Sequence, residues 1–182
     1  MIRLFVALEM TRSAAEALAA LCEGLPGARW SLDDAFHLTL RFIGEVDHAT
    51  FDDVLFALGE IEADAFELAL AGVGHFPPRG PPRVVWAGVR ANPVLAALQA
   101  RVEGAVVRAG LPPEARNYSP HITLARLRAP PLERVQAYLA RHALFAVEPF
   151  AVEAFNLYSS RMTSEGSQYR IEASYQIGRA HV

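Results

Sequence analysis

The chain contains no lysine, since all 17 of its basic residues are arginine. That absence excludes a lysine nucleophile, a Schiff-base mechanism and the phosphate-loop lysine, and with them a nucleotidyl-transferring ligase with a covalent lysine intermediate. Arginine still grips phosphate, because its rigid five-donor fork matches the oxygens. Cysteine is nearly absent too. Cys22 stands alone and cannot close an intrachain disulfide, so a reducing cytoplasm is the expected compartment. No apolar run approaches a membrane span, and the opening Met1 to Glu9 is too short for a signal peptide, so it reads as a buried strand and no membrane partner is expected. Positive charge is not in excess either: 17 basic residues against 20 acidic ones give a net charge of -3. Such a chain has no general field for coating a duplex, and a polyanion is expected to be gripped locally.

What is present suffices for a core. At 182 residues and 52% hydrophobic content, the chain can form one domain or two intimately packed lobes. Residues 2–8 read as a strand. Thr11 or Ser13 can cap a helix that Pro26-Gly27 stops, and a short stretch around Trp30 leads to a strand from Phe36 to Ile43 that Gly44 ends. A helix is predicted from Thr50, then strands at 65–73 and 84–90 around the proline-rich loop 74–83, which carries Arg79 and Arg83. Asn92 and Pro93 open a helix that Gly110 closes, followed by the strand His121 to Leu127 and a helix from Leu132 to Arg141. Strands at 149–158 and 168–177 form a predicted hairpin, with Tyr169, Ile171, Ala173, Tyr175 and Ile177 on one face of the second.

From residue 92 this order repeats, helix, strand, helix, strand, strand, giving approximate repeats at 11–90 and 92–178. The expected fold is α+β, with two pseudo-symmetric lobes of antiparallel sheet and outer helices in a single bilobed catalytic domain, residues 1–182. The lobes enclose a central cleft, one motif comes from each, and strands can be exchanged between them.

The duplication is sharpest at His37-Leu38-Thr39-Leu40 and His121-Ile122-Thr123-Leu124, separated by roughly half of the 182-residue chain. Alternation in a strand sets each histidine beside its threonine and turns the aliphatic residues to the core. Phosphodiester cleavage needs a base for the nucleophile and an acid for the leaving oxygen, and an imidazole of unperturbed pKa about 6.5 serves as either. Each threonine hydroxyl can donate to a non-bridging oxygen without adding charge. A lone histidine, such as His48, His75, His142 or His181, reads instead as structural.

With these motifs the chain closely resembles the 2H phosphoesterase superfamily, specifically the RNA 2',3'-cyclic phosphodiesterases first named 2'-5' RNA ligases. The resemblance runs through Ile2 to Leu8, His37 to Gly44, Trp86 to Val89, Tyr118 to Arg126 and Leu157-Tyr158-Ser159-Ser160, where many relatives carry an acidic residue before the serine. It implies hydrolysis of an RNA terminal 2',3'-cyclic phosphate to a 2'-phosphomonoester with no metal or other cofactor, and 2'-5' ligation as a side activity. The expected partner is an RNA end or a small cyclic nucleotide, handled by a monomer.

The resemblance carries Arg126 over as a phosphate ligand. Strict alternation puts it on the face opposite His121, so this use requires a bulge, a twist or a strand end. Phe42, at the matching position after His37, can stack on a terminal base or fill the core. Arg41 shares the His37 face by parity and can touch phosphate or solvent. Tyr118 and Ser119, before Pro120, are candidates for the cleft edge, and Tyr158 either presents its hydroxyl to the site or packs with Leu157. With Arg126 holding phosphate near the second motif, His121 is expected as the base and His37 as the acid.

Three rivals remain at this level. A metallohydrolase using His37, His121 and perhaps His75 lacks close ligand spacing. An RNA-end-binding module leaves the acid–base pair without purpose. A 2H enzyme acting on 2'-5' oligonucleotides or small cyclic nucleotides shares all the machinery.

Overall fold

The computed structural model describes residues 1–31 and 36–178, which leaves the structural role expected for His181 outside the described residues. In chain order the elements are β1 (Ile2–Glu9), α1 (Arg12–Ala19), β2 (Ala28–Trp30), β3 (His37–Val46), α2 (His48–Gly59), β4 (Phe66–Phe76), β5 (Val84–Val89), α3 (Pro93–Arg108), β6 (His121–Leu127), α4 (Leu132–Arg141), β7 (Ala146–Val152), β8 (Ala154–Thr163) and β9 (Gly166–Gln176). Side-chain caps place the helix starts. Thr11 accepts from the Ala14 amide, and Asn92 accepts from Val94 and Leu95 just before Pro93. For α2 the cap is Asp47, which accepts from Thr50 at 2.8 Å, so the helix begins at His48 rather than at Thr50.

The strands form two antiparallel sheets, in the orders β3-β1-β8-β9 and β2-β6-β5-β4-β7. The repeat therefore starts one strand earlier than the sequence pattern predicts: β1-α1-β3-α2-β4 is followed by β5-α3-β6-α4-β8, with β2, β7 and β9 added. Each unit gives its last strand away. β4 lies beside β5 of the second unit, and β8 lies beside β1 of the first. A continuous core draws on both sheets and all four helices, with Leu38, Leu124, Leu18, Val54, Leu98 and Val135 among its buried members.

Three strand boundaries differ from the sequence expectation for identifiable reasons. β3 continues through Gly44, which sits opposite Leu4 with φ +87°, so the glycine serves a bulge within the ladder rather than its end. β4 continues through Gly74, His75 and Phe76 because Gly74 makes room for Trp86: a Cβ there would lie 2.3 Å from the indole. The predicted strand 149–158 is two strands, since the chain leaves one sheet and enters the other at Glu153. In β9, Leu157 faces Ala173 and Tyr158 faces Ile171, so Glu172 is an extra residue. The bulge switches faces, and Tyr169 and Ile171 part company with Ala173 and Tyr175.

Candidate active site

Both motif strands contain one extra residue at the same place. In β3, Thr39 faces Ala7 and Arg41 faces Val6, with Leu40 left over. In β6, Thr123 faces Trp86 and Ala125 faces Val85, with Leu124 left over. An inserted residue turns every later side chain to the other face. The seven residues from each histidine thus share one burial sequence, in which the histidine and threonine are half-buried and the sixth residue, Phe42 or Arg126, is exposed.

A cavity of about 680 Å³ is lined by His37, Thr39 and Phe42 from one sheet and by His121, Thr123 and Arg126 from the other. A second cavity of about 560 Å³ shares Thr39, Phe42 and His121 and continues along Phe76, Pro77, Val84 and Tyr118. Thr39, Phe42 and His121 form the wall common to both, while His37, Thr123 and Arg126 line the larger cavity.

The two histidines stand in different surroundings. The His37 ring stacks on Phe5 at a centroid distance of 4.9 Å and meets the edge of Tyr169 at 5.3 Å. Tyr158 stacks on the same Phe5 at 5.0 Å. Burial among these rings penalises the imidazolium and lowers the His37 pKa to about 4, so the ring is neutral at pH 7. His121 has Phe76 edge-on at 4.8 Å, and its Nδ1 lies 2.8 Å from the Ser119 carbonyl. A carbonyl only accepts, so Nδ1 carries the hydrogen, and in the neutral ring Nε2 holds the lone pair.

Each motif strand is also held from outside at its threonine. The Tyr118 hydroxyl donates to the Thr39 carbonyl at 2.8 Å, and the Ser31 hydroxyl donates to the Thr123 carbonyl at 3.1 Å. The segment that leads into one motif strand secures the other.

In the comparison with known families, the model described as LigT like Phosphoesterase matches the chain twice, at residues 8–86 and 89–169. The chain belongs to this family. This LigT-like phosphoesterase is 34% identical over 143 residues to the RNA 2',3'-cyclic phosphodiesterase of Aeropyrum pernix, covering 76% of this chain and 80% of that one. It is 34% identical over 154 residues to the Thermus thermophilus protein of the same name, covering 80% and 73%. Among solved structures, E. coli LigT complexed with 3'-AMP aligns with a TM-score of 0.78 at 26% identity, covering 98% and 99% of the two chains.

In this LigT-like phosphoesterase the Leu40 bulge corrects the expectation for Arg41. Its side chain leaves the His37 face, is 8% exposed, and pairs through Nε with Glu103 Oε1 at 2.6 Å while donating to the carbonyls of Phe42 and Pro112. It braces α3 against β3. Phe42 is 63% exposed, which removes the core alternative. Tyr158 turns away from Leu157 onto the Phe5 ring, and its hydroxyl accepts from Asn156 Nδ2 at 3.2 Å. Tyr118 borders the second cavity with its hydroxyl committed to Thr39, and Ser119 acts through its carbonyl.

The sequence reading missed Phe5, Tyr169 and Phe76, the rings that enclose the histidines. Phe5 read as an ordinary strand residue and Phe76 as part of the proline-rich loop, and the bulge at Glu172 conceals the direction of Tyr169. Among the described residues no three His, Cys, Asp or Glu side chains gather as a metal would require. His75 lies in register with Val85, whose side chain is fully buried in the core.

Proposed function

We propose that this cleft hydrolyses the 2',3'-cyclic phosphate at an RNA end to a 2'-phosphomonoester. The observation that carries the reading is the convergence of two equivalent histidine and threonine units and Arg126 on one cavity. The names of the A. pernix and T. thermophilus relatives supply the substrate.

In the proposed mechanism Arg126 and the threonine hydroxyls hold the non-bridging oxygens, where charge-assisted donors stabilise the developing charge. His121 Nε2 takes a proton from water as its oxygen forms a bond to phosphorus, and the P–O3' bond breaks on the opposite side. His37 gives a proton to O3'. In-line displacement separates the entering and leaving oxygens, which is why the two imidazoles come from different sheets. The neutral resting state of His37 suits an acid that is charged only in company: an anionic phosphodiester beside the ring favours imidazolium, and a ring of low intrinsic pKa then surrenders the proton readily. Phe42 stacks on the terminal base from the wall shared by the two cavities. Ligation to a 2'-5' linkage is the same displacement with a ribose 5'-hydroxyl in place of water, its oxygen bonding to phosphorus as P–O3' breaks and O3' takes the proton.

The reading extends to a single bilobed catalytic unit that acts as a monomer in the cytoplasm on RNA termini. A lone cysteine supports the compartment, and no described helix is long and apolar enough to cross a membrane. Incubating the protein in chelator with an oligoribonucleotide ending in a 2',3'-cyclic phosphate tests the proposal. Chromatography should show a 2'-phosphomonoester alone. A persistent cyclic end at high enzyme concentration would overturn the activity, and a 3'-phosphomonoester would reverse the leaving oxygen.

A further inference from the structure

Arg29 on β2 lies directly opposite Arg126 on β6. Residues in register across antiparallel strands have Cβ atoms about 5 Å apart, and like charges so placed repel. Neither arginine has an ion-pair partner among the described residues, unlike Arg3, which also lines the cavity and reaches Glu45 at 3.5 Å. Both Arg29 and Arg126 are exposed into the 680 Å³ cavity, where Glu165 is the one carboxylate among the described lining residues. Two guanidinium groups set side by side in a cleft, neither paired with a described carboxylate, form a site for more than one anionic group.

The next residue explains why Arg29 stays there. Trp30 packs against the buried ring of Tyr138 at 5.8 Å, and the Ser31 hydroxyl ties the strand to the Thr123 carbonyl. Those two contacts fix the short β2 at the open edge of β6. The position of Arg29 is a consequence of folding, set before any ligand arrives.

On the reading of the cleft proposed above, Arg126 takes the reacting phosphate, so a second anion beside it belongs to the neighbouring linkage of the same strand. We infer that Arg29 binds the phosphodiester immediately 5' of the terminal nucleotide, and that the preferred substrate is an oligonucleotide end rather than a cyclic mononucleotide. The two cavities divide the work: the one lined by Phe42, Phe76 and Tyr118 holds the terminal nucleoside, and the one lined by Arg29 and Arg126 receives the chain.

A dinucleotide ending in a 2',3'-cyclic phosphate and the matching 2',3'-cyclic mononucleotide separate the two ideas. The dinucleotide should have a higher kcat/KM by on the order of tenfold, the effect of one charge-assisted contact. Arg29→Gln should lower kcat/KM for the dinucleotide at least fivefold more than for the mononucleotide, with Arg29→Lys recovering part of the difference. Calorimetric binding of a dinucleotide 2'-phosphate and of the nucleoside 2'-phosphate should show the same selectivity change without turnover. Equal losses on both ligands, or no loss on the dinucleotide, would overturn the assignment of Arg29. If the wild-type protein hydrolyses neither substrate yet the calorimetric selectivity depends on Arg29, the catalytic proposal fails and the second anion subsite stands.

Discussion

The Tyr118 hydroxyl donates to the main-chain carbonyl of Thr39, 2.8 Å away, so a residue just ahead of the second histidine motif fixes the first. One position later, the Ser119 carbonyl accepts from His121 Nδ1. A two-residue segment therefore sets the positions of groups on both sides of the cleft. Burial holds the phenol far above its usual pKa, so it remains a donor throughout the neutral range.

Tyr118→Phe removes that donor and leaves the ring. Stability should fall by about 1 kcal/mol, the usual net worth of a hydrogen bond. Turnover should fall by roughly tenfold while KM changes little, because the displaced group acts on the reacting phosphate rather than on the nucleoside. Chemical denaturation and steady-state kinetics check the two halves, and an unchanged kcat would make the bond purely structural.

The enclosed ring of His37 gives a pH signature. Its pKa is lowered from 6.5 to about 4, so between those values the unfolded chain binds more protons than the folded one. The His37 contribution to stability is complete above pH 6.5 and is lost as pH falls toward 4. Ring-proton chemical shifts should show His37 titrating near 4 in the ligand-free protein and at higher pH with a nucleoside 2'-phosphate bound. Tyr169→Ser, which opens the edge of the ring to water, should also raise the value.

Replacing either histidine with alanine should reduce hydrolysis by about 10²- to 10⁴-fold. An activated O3' leaving group separates the roles, because it needs little help from an acid. It should restore His37→Ala far more than His121→Ala, and preferential rescue of His121→Ala would exchange the assignments.

Arg126→Ala should lower kcat/KM by about 10- to 150-fold, the range for a hydrogen bond to a charged group. Arg79 lies exposed in the loop between β4 and β5, outside both cavities, and Arg79→Ala should cost little. Equal kinetics for the two variants would remove Arg126 from the phosphate.

At 63% exposure, Phe42 contributes little burial to the fold. Phe42→Leu should leave the melting temperature nearly unchanged and weaken nucleotide binding several-fold, measured by calorimetry. A large loss of stability with normal affinity would contradict base stacking.

The histidines, their threonines, the duplication and most element positions were legible in the sequence, because apolar periodicity and capping residues are local signals. The phase of each strand was not. One extra residue at Leu40, Leu124 or Glu172 leaves no compositional mark, yet it decides where every later side chain points. Parity alone set Arg41 on the His37 face and Arg126 off the His121 face; past the bulges Arg126 lines the cavity that holds both histidines, and Arg41 lines only the second one. The family resemblance placed Arg126 in the cleft where alternation did not, and its side chain lines the 680 Å³ cavity. The sheet change at Glu153 was hidden for a different reason: the strand-like pattern runs on while the pairing partners change.

The exchanged last strands also bear on ancestry. A chain of only one repeat would leave β1 without the neighbour that β8 supplies, and its closed form would be two identical copies lending each other a strand about a twofold axis. Such a pair would place two equivalent histidines face to face, with no chemical distinction between acid and base. Within one polypeptide the two halves need not be identical. Phe42 and Arg126, so unlike at the same station of the repeat, give the cavity an aromatic end and a charged end, a direction that two identical copies would lack.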